Sequence, residues 1–220
     1  MDEEKRSELL MDHYKDTFAI ILDHWKTRNR LFMYVLALIA ILGVDSLSPG
    51  SLSNFVNEYL KSKLQTGASW KTIDFAAVDL LARFLLLFLV IQYYQRSISV
   101  DRLYNYIHNL EEKICATMGG DFVTREGKSY LSRKGIPTED KNSKRPLFLQ
   151  AVGPLYTYVF PIGLASLVVA QIVSQQLIVH IISQPFFNQK TLVDFLRVLC
   201  GLGIAVYSIL YVWWFLKDKR

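Results

Sequence analysis

Four charged residues stand inside long apolar stretches of this chain: Asp79, Arg83, Asp194 and Arg197. An ionisable group in hydrocarbon is costly unless it is paired or hydrated, so each asks for a partner or a water path. Asp79 and Arg83 are four residues apart, and Asp194 and Arg197 three apart, which puts each pair on one face of a helix. Two uses follow. The pairs fix helix register close to an outer interface, or one or both of them line a water-filled path through a bundle or an oligomer. Arg83 is the better candidate for the second use, because it lies deeper in its apolar stretch than Arg197. Gln171, Ser174 and Gln175 share one face of a further apolar stretch, which also carries His180. Hydrogen bonds between helices, worth roughly 0.6–2 kcal/mol each, are the common use of such groups, and a polar pore lining is the alternative.

Chemistry of other kinds finds no footing. Arg102 and His108 are six apart, a spacing similar to that of the HEPN ribonucleases, in which a basic group and an imidazole converge on an RNA phosphate. Leu103 stands where that family carries a polar residue, so both side chains read as surface groups of a helix. His13, His24, His108 and His180 lack metal-ligand spacing with cysteines or carboxylates. P-loop, G-x-G-x-x-G and G-x-S-x-G patterns are absent. Cys115 and Cys200 are too far apart for a C-x-x-C pair, and no disulfide framework is expected. The reading is a non-enzymatic protein without cofactor or metal.

The elements that must position these residues are helices. Apolar types make up 51% of the 220 residues, and mean hydropathy is +0.20. The apolar residues gather in four blocks, which predicts an all-α polytopic membrane protein with four spans. Residues 1–30 read as an amphipathic helix through Leu10, Tyr14, Phe18, Ile21 and Trp25, running directly into a first span over 31–48. An outer connection over 49–72 holds a second amphipathic helix. The second span, 73–95, continues as a helix whose stripe is Val100, Leu103, Ile107, Leu110 and Ile114, until Gly119-Gly120 breaks it. The helical extensions of the first two spans are expected to pair as an antiparallel stalk. Within 96–150, Phe122 to Leu131 admits a short helix capped by Thr124 or a hairpin turned at Glu126-Gly127, of which the helix is preferred, and Thr138 to Pro146 reads as an exposed loop. The third span, 153–182, carries Pro161 early and is longer than a perpendicular crossing needs, so tilt or an outer extension is expected. A loop over 183–191 leads to the fourth span, 192–216, and a basic tail, 217–220. Gly201, Gly203, Ala205 and Ser208 make a small-residue stripe suited to close helix approach, in the chain or between subunits.

Basic residues set the orientation. Nineteen lie before the first block, between the second and third, or after the fourth, while the two other connections hold only Lys61, Lys63, Lys71 and Lys190. Basic loops stay cytoplasmic, so both termini and the 96–150 segment are expected there. The net charge of +5 is therefore assigned to topology rather than to nucleic acid. Arg102, His108, Arg125, Lys128, Arg133 and Lys134 are the candidate surface for a soluble cytoplasmic partner.

In length, four spans and a modest cytoplasmic segment, the chain resembles the small four-span membrane subunits of bacterial antiphage defence systems, such as the membrane subunit of Kiwa. That resemblance implies a homo-oligomer of the bacterial inner membrane that senses infection or acts on the membrane together with a cytosolic partner.

Overall fold

The computed structural model describes residues 3–47, 51–64, 75–120, 153–183 and 189–218, and nearly all of them are helical. The helices are α1 (Glu3–Leu47), α2 (Ser51–Leu64), α3 (Phe75–Met118), α4 (Phe160–Ser174), α5 (Leu177–Ser183) and α6 (Gln189–Asp218). Four helical stretches are long and apolar enough to cross a membrane: Lys5–Val44, Ala77–Met118, Leu155–Ser174 and Lys190–Lys217. This is the pattern of an all-α, multi-pass membrane protein. The chain divides into two compact units, Met1–Phe32 with Gln92–Ala151, and Met33–Ile91 with Val152–Asp218.

The first unit is an antiparallel pair made by the N-terminal part of α1 and the C-terminal part of α3. Ile21 and Thr17 are buried on α1, and Val100, Ile107, Leu110 and Ile114 on α3. Trp25, expected at the end of the α1 stripe, instead stays 45% exposed. The register is marked by side chains in contact across the pair. His13 Nε2 is 2.7 Å from Tyr106 Oη, and Tyr14 Oη donates to the buried Glu111 carboxylate at 3.2 Å. The Phe32 and Tyr93 rings are 5.8 Å apart. At the foot of α3, Gly119 takes φ 71°, and the Gly120 N–H bonds to the Cys115 carbonyl at 3.2 Å. Glycine reaches this left-handed conformation without a Cβ clash, and the six-residue hydrogen bond closes the helix end.

The second unit turns the usual layering of a protein outwards. Its core holds Val35, Leu86, Val90, Leu164, Val168, Ile172 and Ile204, but Arg83, Gln171, Asp194 and Ser208 are buried among them. Leu81, Phe88, Val173, Ile182 and Ile209 are meanwhile largely exposed. Water would penalise such a surface, whereas lipid would not.

The third apolar stretch departs from a plain helix at both ends. The Phe160 N–H bonds to the Leu155 carbonyl, a five-residue step that makes one π turn over Leu155–Val159. Pro161 follows at once and is buried. Its ring would press on the carbonyl four residues back in a regular helix, and the wider turn relieves that. At the other end α4 stops at Ser174, Gln176 adopts φ 50°, and α5 starts at Leu177. Leu155–Ser174 is 20 residues, a rise of about 30 Å. One helix therefore already covers a hydrocarbon thickness, and the extra apolar residues form a separate short helix rather than a tilted continuation.

The small-residue stripe on α6 is used within the chain. A Cβ on Gly201 would stand 2.8 Å from Ile172 Cδ1 and 3.0 Å from Val168 Cγ1, and one on Gly203 would meet Leu87 at 3.3 Å. Ala205 and Ser208 are buried as well. The close approach that Gly201 and Gly203 permit is to α4 and α3 of the same molecule.

Candidate functional site

Three helices of the second unit bring their charged and amide side chains to one place. Asp79 and Arg83 lie in the first turns of α3, and Asp194 and Arg197 in the first turns of α6. Gln171 and Gln175 lie at the end of α4. Since α4 runs opposite to the other two, all six meet at the same end of the bundle.

The centre is one oxygen. Asp79 Oδ2 accepts a hydrogen bond from Arg83 Nε at 3.0 Å and is 2.7 Å from Arg197 Nε. The second approach lies off the N–H direction, so it is an ion pair without a hydrogen bond. Arg197 Nη1 donates to Asp194 Oδ1 at 3.0 Å. Arg83 spends its other nitrogens on α4, with Nη1 donating to Gln171 Oε1 at 3.4 Å and Nη2 to Gln175 Oε1 at 3.2 Å. Two arginines and two aspartates thus form a neutral network in which Asp79 binds α3 to α6 and Arg83 binds α3 to α4.

Burial makes this network consequential. The Arg83 side chain is 4% exposed, and those of Asp79, Asp194 and Arg197 between 13% and 17%. Removing one member of a buried pair leaves an uncompensated charge, which costs about 3–5 kcal/mol. Arg83 also sits at the C-terminal end of α4, where a positive charge is favoured by the carbonyls that point out of a helix end. The break after Ser174 places Gln175 for this contact: its backbone N–H still bonds to the Gln171 carbonyl, while its side chain turns to Arg83.

Six of the seven residues picked out by type and spacing meet in this network. Ser174 does not, because its hydroxyl donates to the Gln171 carbonyl one turn back in the same helix and the residue is exposed. One neighbour escaped notice. Thr191, three residues before Asp194, is fully buried, and its hydroxyl has no hydrogen-bond partner among the described residues. Its three-residue spacing from Asp194 was the available signal.

The residues proposed for a partner lie elsewhere. Arg102 is exposed on α3. His108 Nε2 is 3.3 Å from Glu112 Oε1, while its buried Nδ1 has no hydrogen-bond partner among the described residues. Six residues along one helix turn a side chain about 120° away and about 9 Å onward, so Arg102 and His108 of one chain do not converge. Arg125, Lys128, Arg133 and Lys134 lie outside the described residues, as do the helix expected over Phe122 to Leu131 and the loop over Thr138 to Pro146. Among the described residues, no group of three or more His, Cys, Asp or Glu side chains could hold a metal ion.

No family model matches the chain, and no curated protein or solved structure shows significant similarity to it.

Proposed function

We propose that this chain is a small multi-pass protein of the bacterial inner membrane, with both termini cytoplasmic, which works as a homo-oligomeric sensor and effector and not as an enzyme. Its membrane bundle holds a closed resting arrangement. Engagement of the cytoplasmic helix pair releases it, and the released form perturbs the bilayer or passes ions.

The network around Asp79 carries this reading. It ties three helices together at one level, so a shift of α3 against either neighbour separates an ion pair or a hydrogen bond. Such a contact has two discrete states, made and broken, which is what a switching element requires. When made, it is neutral and mostly buried, and offers no unbalanced charge to a water column. The placement of nineteen basic residues supports the cytoplasmic side for the termini and the 96–150 segment. The architectural resemblance to antiphage membrane subunits supports the same role.

Ion flux from liposomes tests it. Purified wild type is expected to leak slowly and the Arg83→Gln protein several times faster. If neither protein passes ions in any lipid mixture, the effector reading fails.

A second reading, a membrane anchor that recruits a soluble partner without conducting, draws on the exposed ridge of α3 around Arg102 and Tyr106. Under it, deletion of 121–146 together with Arg102→Ala abolishes co-purification of that partner and leaves liposome flux unchanged. Undiminished partner recovery would exclude this surface.

A further inference from the structure

Two arginines of the first unit are half-buried and have no carboxylate partner among the described residues. Arg28 donates to Asn29 Oδ1 at 3.3 Å and lies 5.5 Å over the Trp25 ring. Arg96 Nη1 lies 3.4 Å from both ring nitrogens of His24. His24 and Arg28 are four apart on α1, hence on one face, and the contact of His24 with Arg96 shows that this face looks onto α3. Both residues therefore stand on the α1–α3 seam, with Arg28 one turn along α1 from the histidine that Arg96 touches. Each carries five N–H donors, most of which are unspent among the described residues.

We infer that this seam binds the phosphate of an anionic phospholipid headgroup. The inference rests on the apolar stretches lying in a bilayer, and three observations point to a lipid as the occupant. Arg28 precedes Leu31, where the first apolar stretch opens, by three residues, a rise of about 4.5 Å that sets it at headgroup depth. Trp25 is 45% exposed beside it, as aromatic side chains are at a membrane–water boundary. The forked guanidinium suits a phosphate, which it can hold through two parallel hydrogen bonds. Elsewhere the chain supplies carboxylates to arginines that it closes off, as Asp79 and Asp194 do for Arg83 and Arg197. Here it supplies an amide and an imidazole, neither of which neutralises a guanidinium. Lys26 and Arg30 share the level but turn to the opposite face of α1, so they attract anionic lipid in general and do not reach the seam.

The test uses the full chain purified in a neutral detergent, where no anionic surface exists, with bound lipid counted by native mass spectrometry. Added phosphatidylglycerol is expected to be retained in preference to phosphatidylcholine. Arg28→Gln with Arg96→Gln should weaken retention by roughly tenfold or more, the scale of lost charged hydrogen bonds. Lys26→Gln with Arg30→Gln should change it by less than about twofold, because diffuse attraction needs a charged membrane surface. Arg28→Lys with Arg96→Lys keeps the charge, loses the fork and should fall between, which serves if the glutamine variants lose helicity by circular dichroism. Equal losses in the two glutamine double variants, absence of a preference for phosphatidylglycerol, or its release by inorganic phosphate would each overturn the site. Failure of the membrane reading itself would show separately, as a protein that stays in solution without detergent.

Discussion

Arg83 and Arg197 in the second unit, and Arg28 and Arg96 in the first, are the same side chain set against the same kind of surface, the seam between two helices. The first two meet aspartates at 2.7–3.0 Å, while the second two meet an asparagine, an indole and an imidazole. The difference lies in what each seam must exclude. A charge closed inside a bundle must be balanced by the chain itself, because nothing else reaches it. One left half-open can take its counter-ion from outside, and such an arginine serves recognition more than cohesion.

Substitutions can break or sharpen this contrast. Arg83→Gln is expected to cost most, about 3 kcal/mol of stability, read by thermal or denaturant unfolding in detergent. Adding Asp79→Asn should not add a second loss of that size, because the two groups belong to one network. A loss near zero for Arg83→Gln would mean that water already reaches this network. Gly201→Ala comes next, at about 1–2 kcal/mol, since the new methyl presses on Val168 and Ile172. Gly163→Ala, with nothing within 4 Å of the new atom, should be neutral or slightly stabilising. This pair of melting curves shows how far packing, and not charge, holds α4 to α6. Gln171→Leu together with Gln175→Leu removes the neutral acceptors and is expected to cost about 1 kcal/mol. Arg28→Gln should be smallest, within about 0.5 kcal/mol, because no ion pair is lost. A large effect there would put Arg28 on the cohesive side of the comparison.

Much of this architecture could be read from residue order. Four apolar runs predict four long helices, and the four- and three-residue spacings predict the contacts of Arg83 with Asp79 and of Arg197 with Asp194. The link between Arg197 and Asp79 could not be read, because 118 positions separate them and only the packing of α3 on α6 brings them together. The break at Gln175-Gln176 was equally hidden: neither residue is glycine or proline, and the apolar run passes through unmarked. Pro161 announced a disturbance but not its remedy, a π turn immediately before it. The glycines of α6 announced close approach without naming the neighbour, since small size says how near a helix comes and not which one.

The tight glycine ending of α3 fixes where the chain leaves that helix and in which direction. A side chain at 119 would meet no neighbouring atom, yet it would be held in the left-handed region at about 1–2 kcal/mol. The length of α3 is therefore written into the backbone freedom of a single residue and not into the packing around it.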